Sequence, residues 1–307
     1  MWKKQGFYWS ILMSVTLLLG GCSFMNQTVD NKEDQNPYMP VQDYTGQGFS
    51  FKNGEKTGEF AKKHRQEIID KVNDYFNTKY GLRVTTHNLV GAQDAVVAFV
   101  ESKQDPKFHI SVIVGVDVAN NKVGDVGAYE GDVEGAITSG LYEMAYEKEF
   151  RNLDAFCEQV AKKYLVVGMR EEAVNNTMDS GYATPFYYTS STDSDYPEAY
   201  KAYIGNHSIS NFELRKLIQE RQFSNDFNKK IGSINITLTF YTKKRNGNPD
   251  QKMADEIIKE FKQTSGLPPG NYAVFIQSNE ILKRTGTAKS YKGTKVGIDN
   301  IIINPYK

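Results

Sequence analysis

RVTTHNLVGAQDAVVAFVESKQDPKFHISVIVGVDV, residues 83–118, contains three segments rich in β-branched and aromatic residues: RVTTHNLV, DAVVAFVES and FHISVIVGVDV. In the last of them Phe108, Ile110, Val112, Val114, Val116 and Val118 fall at every second position and share one face of an extended chain. That period predicts strands. The GAQ between the first two segments is short enough for a hairpin, so the three read as an antiparallel meander.

Working outward, Phe60, Ala61, His64, Ile68, Val72, Phe76 and Tyr80 recur at three- and four-residue intervals before the strands and predict an amphipathic helix from about Thr57 to Gly81. After the strands, Val133, Ala136, Ile137, Gly140, Leu141, Met144 and Ala145 trace a second helical stripe. Leu153, Phe156, Cys157, Val160 and Tyr164 continue it after a break. A helix, a strand meander and then helices is the segregated order of an α+β fold with antiparallel or mixed sheets and packed helices, not of a doubly wound sheet.

Residues 177–210 are rich in tyrosine, hydroxyl and turn-forming residues with little period, and read as a long connection or flap. Beyond them, Phe212 to Arg221 predicts a helix and SINITLTFYTK a strand. PDQKMADEIIKEFKQTSG predicts a helix with Pro249 at its start and Gly266 past its end, and NYAVFIQS and VGIDNIIIN predict strands. The resulting division is 51–176 for a first α+β unit, 177–210 for the tyrosine-rich connection and 211–307 for a second unit, with a single sheet shared between the units as the other arrangement. No internal sequence repeat is evident.

The N-terminus has a different design. Lys3 and Lys4 precede an apolar run from Phe7 to Leu19, followed by Gly20, Gly21 and Cys22. This is the architecture of a secretory signal peptide, and its apolar run is shorter than the roughly 20 residues a membrane-spanning helix needs. Leu19-Gly20-Gly21-Cys22 resembles the lipobox of bacterial lipoproteins. The resemblance implies cleavage between Gly21 and Cys22, a diacylglycerol thioether on the Cys22 sulfur and an acyl group, such as palmitoyl, on the freed amine. Residues 1–21 are then a signal peptide and 22–50 the lipidated N-terminus with a flexible, polar tether, whose PYMPVQDY end alternatively packs on the domain.

The precursor carries 37 basic and 37 acidic residues, and loss of Lys3 and Lys4 leaves 35 against 37. Such a balance gives no strong attraction to nucleic acid or to an anionic bilayer, so membrane lipid is engaged through acylated Cys22. Two acyl chains hold a protein stably where one does not. Cys157 is the only other cysteine, which rules out an intrachain disulfide in the processed chain.

From VQDYTGQGFSF through GEKTGEFAKKHRQEI, and again at REEAVNNT, the chain resembles a family of lipoproteins of Gram-positive bacteria that forms a domain of unknown function. The likeness runs over nearly the whole chain. It implies export and a cell-membrane location on the extracytoplasmic face, and it brings no reaction or ligand; only Cys22 receives a defined role.

No H-E-x-x-H, C-x-x-C, G-x-S-x-G or phosphate-cradling glycine loop is present, and neither a catalytic residue, a cofactor nor a metal is assigned. His64 reads as a core or boundary imidazole and His207 as an exposed turn residue. His87 and His109 each sit in a strand, where with Asp117 they have the composition of a zinc site but only generic spacing. Cys157 reads as a packed thiol. Glu130, Asp132 and Glu134 fit a helix start and its dipole. One stretch stands above this background. Tyr182, Phe186, Tyr187, Tyr188, Tyr196, Tyr200 and Tyr203 concentrate rings that stack on sugars or anchor partners elsewhere. Tyr187, Tyr188 and Tyr196 are therefore the candidate binding residues for an envelope component or protein partner; the alternative is a loop pinned to the core by its rings. The expected function is that of a non-enzymatic binding or envelope-accessory protein anchored to the membrane as a lipoprotein; the alternative is an extracytoplasmic hydrolase with a dispersed active site.

Overall fold

The computed structural model describes residues 36–192, 194–223, 234–289 and 295–303. Gly21, Cys22 and the first part of the expected tether lie outside the described residues. From Asn36 the chain first forms β1 (Tyr38–Pro40), then α1 (Glu55–Lys63) and α2 (Arg65–Tyr80). The two helices divide the single helix expected from the sequence at His64, whose backbone leaves helical geometry. Gly81 ends α2 in the left-handed conformation at φ 66°, its N–H bonding back to the last turn, a role glycine fills without a Cβ clash. The end of the tether does pack, since Val41 and Tyr44 are fully buried.

The quoted meander forms as β2 (Val84–Ala92), β3 (Ala95–Ser102) and β4 (His109–Asp117), antiparallel throughout. Its first turn is closed by Gln93 and Asp94, with Asp94 at φ 57°, and a bulge lies at His87 between Thr86 and Asn88. Then come β5 (Lys122–Gly127), unread in the sequence, α3 (Asp132–Ala145), α4 (Glu147–Tyr164) and the two-residue β6 (Val166–Val167). The short α5 (Glu171–Thr177) leads into β7 (Ser180–Ala183), β8 (Tyr187–Ser190), α6 (Pro197–Gly205) and α7 (Asn211–Phe223). The chain finishes with β9 (Asn235–Thr242), α8 (Gln251–Gln263, capped by the Asp250 side chain), β10 (Gly270–Gln277), β11 (Glu280–Leu282), β12 (Thr287–Ala288) and β13 (Lys295–Ile303).

Ten strands make one sheet, ordered β13-β10-β9-β8-β7-β4-β3-β2, with β5 added to β4 and β6 to β9. Only β9 and β10 run parallel. The sheet therefore runs through both halves of the sequence, and residues Asn36–Lys307 form one compact unit. Residues 177–210, read from the sequence as a connection, supply its two central strands: β7 pairs with β4, and β8 with β9.

One face of the sheet packs on α2, α3, α4 and α8 through a continuous core that includes Phe76, Val112, Leu141, Phe150, Phe240 and Phe261. The other face is covered by α5, by the segment leading from β1 and by a small sheet of β1, β11 and β12 around Val41, Tyr44, Ala173, Tyr241 and Ile281. There Phe49 and Phe51 pack on Phe99 with ring centroids 5.4 and 6.5 Å away.

Candidate functional site

The tyrosine-rich segment enters the fold instead of lying along its surface. Tyr187 faces the helices and its hydroxyl donates to Asp154 Oδ1 at 2.8 Å. Tyr196 stacks on Tyr142 at 5.7 Å and accepts a hydrogen bond from Gln222, while Tyr203 is fully buried. At 3% and 2% exposure, Tyr187 and Tyr196 offer no ring to a partner, which corrects their role as binding residues and agrees with the alternative of rings pinned to the core. Large rings with one polar tip suit a core that meets the tip with an acceptor.

Tyr188 behaves differently because successive strand residues point to opposite faces. Its half-buried ring projects onto the face away from the main helices. Its ring edge crosses Gly181, where an added Cβ would lie 2.8 Å from Tyr188 Cε2. Beside it is a cavity of about 190 Å³ lined by Met169, Val174, Met178, Phe186, Thr237 and Tyr241 among others. Thr237, Thr239 and Tyr241 make its floor because they alternate along β9 with the helix-facing Leu238 and Phe240. No ionisable side chain other than tyrosine lines it. Apolar walls with a few hydroxyls are the composition of a small-molecule site. The sequence signal for this floor is the alternation of NITLTFYT, which marks a second face as clearly as the buried one.

The same face holds a polar row beside α5. His87, turned by the β2 bulge, lies with its Nε2 2.9 Å from Glu101 Oε2, and Glu101 is the ladder partner of His109. The carboxylate between the two imidazoles is thus Glu101. Asp117, the carboxylate expected there, instead holds an exposed turn through Asn120. His109 Nε2 lies 2.8 Å from Asn175 Oδ1. Since that oxygen only accepts, Nε2 carries the hydrogen and Nδ1 keeps a lone pair. His109 Nδ1 has no hydrogen-bond partner among the described residues. Burial pushes the His109 pKa below its ordinary value, against the opposing effects of Asn175 and Glu101. The hydrogen bond from His87 holds Glu101 below the usual carboxylate range. No three His, Cys, Asp or Glu side chains among the described residues have the geometry of a metal site.

The remaining candidates are structural. His64 stacks on Phe60 at 4.2 Å and bonds to Glu67 and Asn121. His207 is exposed and stacks on Tyr203. Cys157 is fully buried, and burial raises its thiol pKa well above the ordinary value, which disfavours the thiolate a nucleophile needs. Asp132 and Glu134 occupy the first turn of α3, and Glu134 accepts from the Tyr80 hydroxyl at 3.0 Å.

Residues 31–304 match the family described as protein of unknown function DUF1672, and the chain belongs to that family. The fold is similar to the crystal structure of a DUF1672 family protein from Staphylococcus aureus subsp. aureus Mu50, with a TM-score of 0.72 at 22% identity over 87% of this chain and 100% of that one. No curated protein matches the chain.

Proposed function

We propose that this member of the DUF1672 family is a lipid-anchored extracytoplasmic binding protein, held through acylated Cys22, whose ligand contact is the cavity beside Tyr188. The cavity carries the binding reading: about 190 Å³ bounded by Met169, Met178 and Phe186 over a hydroxyl floor is large enough for a ring or a branched aliphatic group, since a cavity of about 150 Å³ holds benzene. Two methionines give its wall the soft, adaptable surface that suits binding. The anchoring reading is supported by the lipobox ending at Cys22, and no described helix is long and apolar enough to cross a membrane. The hydrolase alternative has one specific support, the joining of His87 and His109 through Glu101. Against it, Cys157 is sealed in the core.

Two measurements test the proposal. The parent chain should incorporate labelled fatty acid and Cys22→Ala should not; undiminished labelling of the variant overturns the anchor. In methyl and aromatic NMR spectra, titration with p-cresol should move Met169, Met178 and Tyr188 together and saturate. Shifts confined to other residues overturn the cavity as the contact.

A further inference from the structure

The balanced charge of the whole chain conceals a basic surface beside the point where the folded domain begins. Just after β1, Gln42 Nε2 donates to the Lys243 carbonyl at 2.8 Å, and Asp43 forms an ion pair with Arg245 at 2.7 Å. The Lys243 N–H in turn donates to the Leu165 carbonyl at 2.9 Å. The loop after β9 thus joins the entry of the domain to the end of α4, where Lys162, Leu165 and Lys243 line one open groove.

Leu165 ends α4 in the left-handed conformation at φ 50°, which a Cβ disfavours, and it is 67% exposed. Lys162, Lys243 and Lys244 are exposed around it and form no ion pair among the described residues. Neighbouring carboxylates are engaged by other cations: Asp43 holds Arg245, Glu260 holds Lys163 and Glu172 holds Arg170. Glu158 lines the groove and Asp250 caps α8. An apolar side chain held in water among unpaired cations matches the boundary of a bilayer, where burial of apolar area and attraction to anionic headgroups add.

We propose that this surface, made by the end of α4, the loop after β9 and the residues just after β1, lies on the anionic membrane to which the chain is tied. Leu165 enters the headgroup layer, and Lys162, Lys243 and Lys244 meet lipid phosphates. The proposal rests on the anchoring reading above, because chain continuity is what selects the membrane as partner. Cys22 lies 14 residues before Asn36, a reach of at most about 50 Å, and an anchored domain meets its own bilayer at high effective concentration. Each cation contributes a modest attraction, so the surface orients the domain while the acyl groups retain it.

Vesicle sedimentation with the mature chain carrying Cys22→Ala isolates this surface from the anchor. The chain should bind vesicles of equal parts phosphatidylglycerol and phosphatidylcholine at least tenfold more tightly than pure phosphatidylcholine, and high salt should release it. The triple variant Lys162→Gln, Lys243→Gln, Lys244→Gln should lose roughly a hundredfold, about fivefold per cation. The same charge change at the opposite end of the sheet, Lys56→Gln, Lys103→Gln, Lys122→Gln, should lose less than about threefold, since attraction falls off within a Debye length. Leu165→Gly should weaken binding roughly tenfold with an equal or higher melting temperature, because glycine accepts the left-handed backbone. Equal losses in the two triple variants, or no effect of Leu165→Gly, overturn the proposal, as does binding of soluble polyphosphate without binding of vesicles. If the unlipidated chain ignores anionic vesicles while fatty-acid labelling still requires Cys22, the surface falls and the anchor stands. Vesicle binding together with labelling that does not require Cys22 keeps the surface and removes the anchor.

Discussion

On its helix-covered face the sheet meets side chains such as Phe76, Leu141, Phe150 and Phe261, none more than 1% exposed, and the buried tyrosine tips there find acceptors. Tyr142 donates to the Pro269 carbonyl at 2.6 Å and Tyr272 to the Pro268 carbonyl at 2.7 Å. The opposite face carries a seven-residue helix, a turn-rich strap that follows β1, and the cavity beside Tyr188. A concave, largely apolar pocket with a few polar groups is where small ligands bind. The helix-covered face therefore reads as the scaffold and the strap-covered face as the working surface, a division that neighbouring tyrosines of one strand make testable.

The largest expected effect separates Tyr187 from Tyr188. Tyr187→Ala should cost about 3–5 kcal/mol, as for other large buried rings, and lower the melting temperature on the order of 10 °C. Tyr188→Ala should cost ~1 kcal/mol and instead weaken p-cresol binding. Equal melting losses in thermal denaturation would break the contrast between the faces.

Next comes the pH dependence of the helix-covered face. Burial, with Asp105 and Glu147 nearby, raises the Glu143 carboxyl from its ordinary 4.5 to about 7. The folded state then favours the protonated form. The associated stability is fully present below about pH 4.5 and is lost as pH rises through about 7. Glu143→Gln should be more stable than the parent by ~2 kcal/mol at pH 8 and equal to it near pH 4. Parallel stability curves across that range would remove Glu143 as the cause.

Cys157 sharpens the scaffold side further. Cys157→Ala should fold with a loss of ~1 kcal/mol from the deleted buried volume, and the native thiol should resist maleimide; rapid native-state labelling would show the core there to be open.

The smallest effect lies on the other face and has the opposite sign. The pKa of His109 is depressed mainly by burial, with Glu101 on β3, His87 on β2, and Asn175 and Glu171 on α5 around it. Its contribution is present above the unfolded value near 6.5 and is lost as pH falls through the folded value. His109→Gln should flatten the decline of stability on the acid side, measured by denaturant midpoints between pH 7 and 4. A decline unchanged in the variant would assign it to another group.

The sequence by itself determined the meander of residues 83–118, the main helices and their stops, and the α+β class, because side-chain period and left-handed glycines act locally. It also marked the tyrosine-rich segment as unusual, and it alone carries the expectation for Cys22. The tertiary structure decided where that segment goes. Residues 177–210 have little internal period because their strands are four residues each, too short to show one, and they are ordered by pairing with β4 and β9, more than 40 residues away in either direction. Which tyrosines face the core then follows from strand register, and register is set by partners that no local pattern names. The same holds for His87, Glu101 and His109, which a bulge and a three-strand ladder bring into one row. The cavity itself belongs to no segment: its lining comes from the stretch after β6, from α5, from the turn before β8 and from the far face of β9, a relation among elements that only the assembled sheet contains.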